Sequence, residues 1–345
     1  MNTTVTGLYL YRLISSPFFS NEYRVNIIGS FFRRSLGSVV LNSGAKVFSS
    51  SFVDFLAPVV TFDSAIVNSR VTYNGGKIVI MSTVFRGIHV SGLNGGAVYI
   101  QSSTEVSISS CTFHSCWTDS YGGAIFYVSD NSTIVDNCFS ECRVTVQRDN
   151  PSYNAIYTSS GVCDMQYCSL YQCGKSSEPG SDTTIMATNG LFQISNMNIT
   201  SCSSGSWDAS SFSVVSTLAK SYMKFMNLRG NSGRNLLCYI GTLISSNSSN
   251  IINNTVGATK TILVYSCTTY FYDSVFYPEP SFFYNNGVCN LVNCIVNPSN
   301  PNAALFELEQ IVGVHCIYQD LIEKQSHYSY RHSNIIVFLS FVVIS

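Results

Sequence analysis

The chain has 345 residues, of which 46% are hydrophobic and only 11% are charged, with 18 Lys and Arg against 19 Asp and Glu. A net charge of −1 leaves no basic face to neutralise a phosphate backbone, so the composition argues against nucleic acid as a partner. Because typical globular domains carry about 25% charged residues, the polar surface here must be built from Ser, Thr, Asn and Tyr instead.

The N-terminal stretch carries neither a clear repeat unit nor an export signal. Gly7 to Ile14 is apolar apart from Arg12, but the basic segment that opens a signal peptide does not precede it. We predict that residues 1–36 form an N-terminal cap or partial coil for the repeat array that follows, since an array with a bare edge strand would aggregate.

A sequence unit is duplicated between Asn94 and Asp149. Gly95-Gly96-Ala97-Val98-Tyr99 recurs as Gly122-Gly123-Ala124-Ile125-Phe126. Cys111-Thr112-Phe113-x-x-Cys116 recurs as Cys138-Phe139-x-x-Cys142 at nearly the same interval. A period of roughly 20–50 residues is typical of solenoids, propellers and other repeat arrays. We place the glycine pairs at tight corners that need a positive φ or a close backbone approach.

An apolar anchor equivalent to Phe113 can be followed along the chain at somewhat irregular intervals, and a second short apolar run precedes most anchors. The strand before Phe113 alternates, with Val106 and Ile108 on one side and Ser107 and Ser109 on the other. The predicted anchors are Phe52, Phe85, Phe113, Phe139, Leu170, Ile199, Leu228, Ile252, Phe276, Ile295 and Ile317.

These patterns predict an all-β fold, a right-handed parallel β-helix (solenoid) of about eleven coils over residues 37–318. A propeller blade needs about 40–50 residues, which is longer than most of these repeats, and the leucine-rich repeat pattern is not found in the chain. Irregular turns between short strands absorb the variable spacing.

Residues 319–345 are predicted to be a polar linker and a short apolar tail. Ile335 to Ile344 is apolar except for Ser340, but ten helical residues would rise only about 15 Å, half of a bilayer core. The alternatives are part of a transmembrane helix, a lipid-anchor signal behind Ser326 and Ser329, a last strand or a disordered end. We expect membrane attachment through this tail.

The paired G-G-A-[IV] and F-x-x-N/C motifs over about residues 75–175 resemble the repeats of chlamydial-type polymorphic outer membrane proteins, and similar repeats occur in trichomonad surface families. In that family Asn typically stands three residues after the anchor. Leu228 keeps it as Asn231, whereas Phe113, Phe139, Leu170 and Ile199 have Cys there. The resemblance implies a right-handed β-helix on the cell surface, tied to adhesion.

The cysteines fall into shared registers. Cys116, Cys142, Cys173 and Cys202 stand three residues after an anchor, Cys111 and Cys168 stand two before, and Cys138 is one residue out of that register. Stacked coils would bring neighbours close enough for disulfides such as Cys116–Cys142 and Cys173–Cys202. A ladder of free buried thiols is the other interpretation. A zinc site at Cys163, Cys168 and Cys173 is disfavoured, because those side chains would face different ways.

The sequons favour a secretory or surface location, together with the cysteine content. The candidate glycosylation sites are Asn131, Asn198, Asn247 and Asn253, and a further sequon lies at Asn2.

We predict a non-enzymatic surface or secreted protein, at the cell surface or extracellular and membrane-associated, that binds a host or neighbouring-cell surface protein or glycan. Catalytic residues, cofactor and metal are all predicted to be none. The alternative is a β-helical polysaccharide lyase or glycoside hydrolase, which needs clustered carboxylates. Asp136 and Asp273 share a register several coils apart, while Glu307 and Glu309 share a strand face. A degenerate paralogue without separate activity is the third alternative.

Overall fold

The computed structural model describes the chain in segments, and side chains are described only after residue 69. Several residues in the later strands are also described through their backbone alone. The described segments are 2–6, 9–11, 24–28, 31–33, 39–41, 46–48, 51–53, 60–62, 66–67, 70–81, 83–145, 152–174, 181–204, 209–215, 220–233, 235–241, 243–256, 261–277, 280, 282–285 and 287–296.

Every regular element among these residues is a β-strand. The strands are Asn2–Thr6, Tyr9–Tyr11, Arg24–Ile28, Phe31–Arg33, Val39–Leu41, Lys46–Phe48, Ser51–Val53, Val60–Phe62, Ile66–Val67, Val71–Asn74, Lys77–Met81, Val84–Arg86, His89–Val90, Val98–Ser109, Thr112–His114, Trp117–Thr118, Ile125–Val135, Cys138–Ser140, Arg143–Val144, Ser152–Gln166, Ser169–Tyr171, Ser181–Thr188, Leu191–Thr200, Ala209–Val215, Ser221–Arg229, Ser232–Gly233, Asn235–Ile240, Leu243–Asn247, Asn250–Ile252, Thr255–Val256, Ile262–Tyr265, Thr268–Tyr272, Val275–Tyr277, Phe282–Asn285, Val288–Val292 and Ile295–Val296.

The described strands pair in parallel, each with its counterpart in the next coil, and the result is the predicted parallel β-solenoid. Four ladders run along it. The first passes through Ile100 and Tyr127, the second through Val106 and Ile134, the third through the anchors, and a short fourth through Trp117. Handedness and the number of coils stay predictions.

The first ladder also passes through Tyr9–Tyr11, which pairs with Phe31–Arg33, within the predicted cap or partial coil. Phe31–Arg33 pairs in turn with Ser51–Val53. Parallel pairing therefore begins before residue 37. The linker and tail predicted for 319–345 lie outside the described residues.

Alternation explains why these segments form half-buried strands. In the second ladder Val106 and Ile108 are fully buried, while Ser107 and Ser109 stay partly open to solvent. Buried apolar side chains of successive coils stack into one continuous core. Phe113 shows the packing most clearly, because its ring stacks on those of Phe85 and Phe139 with centroids 4.7 and 4.8 Å away.

The third ladder confirms the predicted register at Phe85, Phe113, Phe139, Leu170, Ile199 and Leu228. The next partners are Ile251, Phe276 and Val296, so Ile252 and Ile295 were each wrong by one residue. In such short strands with adjacent apolar side chains, alternation cannot choose between neighbours.

The first predicted anchor, Phe52, was wrong because it lies in the first ladder and not in the third. Phe52 pairs with Tyr73 in the first ladder, and Phe85 pairs instead with Val67. The interval between Phe52 and Phe85 was the longest in the predicted series, and it joined two different ladders. Ile317 lies outside the described residues.

Wherever both positions are described, two left-handed residues bracket an anchor strand, three positions before the anchor and two positions after it. Because L-residues disfavour this conformation, Asn and Asp less than the others, it marks fixed corners. The residues before the anchor are Ser110, Asp136, Tyr167, Asn196, Phe225, Ser248, Asp273 and Asn293. Those after it are Gly87, Ser115, Glu141, Gln172, Ser201, Gly230 and Asn253.

The duplicated glycines occupy a further corner, as predicted. Gly95 and Gly122 have φ values of 71° and 70°. A Cβ on Gly96 would lie 2.0 Å from the carbonyl oxygen of Gly123, so only glycine allows the two coils to approach here.

Candidate functional site

The residue three positions after each anchor fills a buried corner position that we call the exit slot. Its thiols belong to Cys116, Cys142, Cys173 and Cys202, and each is fully buried. Each donates to the carbonyl oxygen of the anchor in the preceding coil, at 3.6, 3.4, 3.6 and 3.6 Å respectively. The sequence register therefore brings these cysteines into one column.

Asparagine fills the same slot in the next two coils. Asn231 donates through Nδ2 to the Ile199 carbonyl at 2.8 Å and accepts the Cys202 N–H through Oδ1 at 2.9 Å. Asn254 repeats both bonds with Leu228 and Asn231, at 2.8 and 2.9 Å. Sequence reasoning missed Asn254 because its anchor was misplaced at Ile252.

A second slot, the entry slot, lies two residues before each anchor. Cys111 and Cys168 donate there to the carbonyls of Ile80 and Ile134, at 3.7 and 3.6 Å. Asn137 lies between them, donates to Ile108 at 2.8 Å and accepts the Cys111 N–H at 2.9 Å. In both slots, thiol and amide perform the same task, which is to satisfy backbone groups at a corner.

The described cysteines other than Cys138 are free thiols, whereas Cys138 is disulfide-bonded. Burial raises the pKa of Cys111 and Cys168 to about 12, with backbone hydrogen bonds opposing the shift. Burial also raises the pKa of Cys142 and Cys173 well above the ordinary value. Since the thiolate is the nucleophile and metal ligand, these side chains are chemically inert while folded.

The cysteines weighed as a zinc site take three different environments. Cys163 lies 3.4 Å from the Tyr127 hydroxyl, while Cys168 and Cys173 donate to the carbonyls of Ile134 and Phe139. Within the described part of the chain, no group of three or more His, Cys, Asp or Glu side chains is arranged to hold a metal ion.

The candidate glycosylation sites differ in accessibility. Asn131, Asn247 and Asn253 are exposed. Asn198 is only 3% exposed and accepts a hydrogen bond from Asn227 Nδ2 at 2.8 Å. Because the side chain is buried, a glycan at Asn198 would have to be attached before folding.

One surface cluster combines histidine, hydroxyl and carboxylate groups. His114 Nδ1 lies 2.8 Å from Ser140 Oγ, and Ser115 Oγ donates to Glu141 at 2.9 Å. Burial lowers the pKa of His114, Glu141 raises it and Arg86 lowers it. Ser140 is only 4% exposed, so this hydroxyl is a structural partner of His114 and is poorly placed to attack a substrate.

The backbone conformation explains why the carboxylates of Asp136 and Asp273 share a register. Asp136 and Asp273 both occupy the left-handed corner before an anchor, with φ of 59° and 48°. Asp tolerates this conformation better than most residues do, and the Asp136 carboxylate accepts a hydrogen bond from Ser110 of the preceding coil at 3.1 Å. Glu307 and Glu309 lie outside the described residues.

Aromatic side chains also stack on the outside. Tyr99, Phe126 and Tyr157 form a continuous stack with centroid separations of 5.3 and 4.7 Å, and the Arg70 guanidinium lies 4.7 Å from the Tyr99 centroid. Because ring faces in this stack cover one another, mainly their edges are presented to solvent. Sequence reasoning missed this stack, since it depends on the coil register.

No family model, curated protein or solved structure matches this chain. The described residues contain no helix long and apolar enough to span a bilayer. Residues 335–344 lie outside them.

Proposed function

We propose that this protein is a non-enzymatic, surface or secreted β-solenoid that binds a protein or glycan of a host or neighbouring cell. The observation that carries the proposal is the outward display of side chains in register along the coils, as in the stack from Arg70 to Tyr157. Flat, rigid arrays suit recognition of extended partners, whereas catalysis requires convergent groups in a water-excluding cleft.

Three further observations support this proposal. The buried thiols are held protonated, the Asp136 and Asp273 carboxylates form corners, and the Ser140 hydroxyl is covered. The resemblance of the paired G-G-A motifs to polymorphic outer membrane protein repeats adds adhesion and cell-surface location to the proposal. Membrane attachment through residues 335–344 belongs to the same proposal.

The test is an adhesion assay with the purified full chain on intact cells, run beside a cleavage assay on a polysaccharide panel. We expect saturable cell binding and no release of reducing or unsaturated ends. Cleavage of a polyuronide that disappears when a single Asp is changed would establish the lyase or hydrolase alternative instead. Surface labelling of intact cells that express the full chain tests location, and recovery only in the cytosol would refute it.

A further inference from the structure

One exposed row on the outer face of the second ladder consists of Lys220, Tyr222 and Lys224, which we call the Lys–Tyr row. Tyr222 is 42% exposed and both lysines are exposed, while Met223 between them is buried. Lys220 Nζ lies 4.9 Å from the centroid of the Tyr222 ring, a cation–π contact that helps to hold both side chains in place.

The positive charge of this row is not neutralised locally. Neither Lys220 nor Lys224 has an ion-pair partner among the described residues, and the neighbouring rows 191–195 and 243–247 contain no charged side chain. Near the other end of the same face, Lys77 is paired with Glu105 at 2.7 Å. The Lys–Tyr row therefore offers two accessible cations to an anionic partner.

Neutral polar and aromatic side chains surround the row. The exposed Gln193 precedes Tyr222 in its column and the buried Ser245 follows it, while the exposed Asn247 follows Lys224. One coil further, Tyr270 and Tyr272 lie behind Ser245 and Asn247, with ring centroids 5.7 Å apart and nearly parallel planes. Amides and tyrosine rings at a coil spacing of about 4.8 Å are suited to sugar hydroxyls and sugar ring faces.

The backbone at this row argues against an extended peptide as the partner. The strand Ser221–Arg229 is already paired on both sides, with Leu191–Thr200 and with Leu243–Asn247 and Asn250–Ile252. No open edge is left for strand addition, which is the usual way in which a sheet captures a peptide. Two lysines on a chain of net charge −1 are also too few for a nucleic-acid site.

We infer that the Lys–Tyr row and the tyrosines beyond it bind an acidic polysaccharide, with the two ammonium groups on its carboxylates or sulfates. This inference rests on the proposed function as a non-enzymatic binding protein and names its ligand class. Lys220 and Lys224 would provide the charge contacts, and Tyr222 would provide packing against a sugar ring.

The experiment measures binding of the full chain to immobilised polygalacturonate and heparin, with dextran as the neutral polymer and poly-glutamate as the acidic peptide. We expect binding to one or both acidic polysaccharides that weakens as salt is raised. The double variant Lys220→Gln/Lys224→Gln should bind about tenfold more weakly or worse, a difference of about 1.4 kcal/mol. Lys77→Gln is the matched control and should change the affinity less than about twofold.

Wild-type binding to neither acidic polysaccharide, equal binding by the double variant, or equal binding of dextran would each overturn the inference. Poly-glutamate bound as tightly as the polysaccharides would assign the row to an acidic protein instead. An unchanged thermal midpoint shows that the variant is folded. If the chain still binds cells but does not bind either acidic polysaccharide, the proposed function as a binding protein stands and only the acidic-polysaccharide ligand is refuted.

Discussion

The exit slot is filled by thiols in four successive described coils and by amides in the next two, and both kinds of side chain donate to the same backbone carbonyl. Cys142 and Asn231 both donate to the anchor carbonyl of the preceding coil, at 3.4 and 2.8 Å. Asn231 also accepts a hydrogen bond of 2.9 Å from the Cys202 N–H, whereas the Cys142 sulfur is a weak acceptor for the Cys116 N–H. The corner requires a side chain of a given size that can both donate and accept a hydrogen bond. A thiol and an amide both fit, but the amide forms the stronger hydrogen bonds.

The largest expected difference between the thiol and amide exit slots is in alkaline sensitivity. Burial raises the folded-state pKa of Cys142, Cys173 and Cys202 above the unfolded value of about 8.5, so the unfolded chain loses these protons first. Stability is therefore present below about pH 8.5 and is lost as pH rises. Near pH 9.5 the three thiols together should lower the free energy of unfolding by about 4 kcal/mol.

Denaturant unfolding at pH 7, 8.5 and 9.5 measures this loss. A Cys142→Asn/Cys173→Asn variant has an amide in two of the slots and should lose clearly less stability over that range. If the wild type and this variant lost the same amount, the alkaline sensitivity would not come from the thiol column.

The next largest effect is expected at the amide slot. Asn231→Ala leaves the Ile199 carbonyl and the Cys202 N–H without their partner inside the protein, at a cost of about 3 kcal/mol. Asn231→Cys should recover about 1 kcal/mol of that loss, because a thiol fills the equivalent position in neighbouring coils. Denaturant unfolding of both variants checks this, and equal losses would show that the two slots are not equivalent.

A thiol slot should tolerate truncation better. Cys142→Ala removes the weak hydrogen bonds of the sulfur, to the Phe113 carbonyl and from the Cys116 N–H, and leaves a small cavity, so we expect a loss of about 1–2 kcal/mol at pH 7. Denaturant unfolding gives the value, and a loss as large as that of Asn231→Ala would remove the contrast between the thiol and amide slots.

The smallest effect is expected at the corner backbone and should have the opposite sign. Gln172 is exposed and has a φ of 50°, a conformation that glycine adopts without strain. Gln172→Gly should stabilise the fold by about 0.5–1 kcal/mol, since relief of the strain exceeds the added entropy of the unfolded chain. Gln172→Ala keeps the strain and should leave the thermal midpoint nearly unchanged. A lower midpoint for the glycine variant would contradict this account.

Much of the fold could be read from the sequence, because strand alternation and the repeat are both written in the order of apolar residues. The slot cysteines were also predictable, since Cys116 and Cys142 stand at one offset from their anchors. Local order could not settle Ile251 against Ile252, because the corner conformation fixes that register. The left-handed backbone at Phe225 and Tyr167 could not be predicted from the residue types, since neither Phe nor Tyr favours that conformation.

The outer faces were the least predictable part. The stack of Tyr99, Phe126 and Tyr157 joins side chains from three successive coils, and it exists only because the coils align. The alternation of Tyr222 and Lys224 against Met223 was visible in the sequence. Their uncharged neighbours in the adjacent coils were not, because those neighbours are defined by register alone.

The segment from one left-handed corner through the anchor to the next has a constant length, whereas the distance between successive anchors varies. That distance is shortest between Val67 and Phe85 and longest between Phe139 and Leu170. All length variation is therefore confined to the remainder of each coil. Successive coils have the same slots at the same offsets from their anchors. If recombination deleted or duplicated one whole repeat, the two coils brought together would therefore still have matching corners. A gene encoding such a chain can change the length and outer decoration of its product by recombination while keeping the same interior.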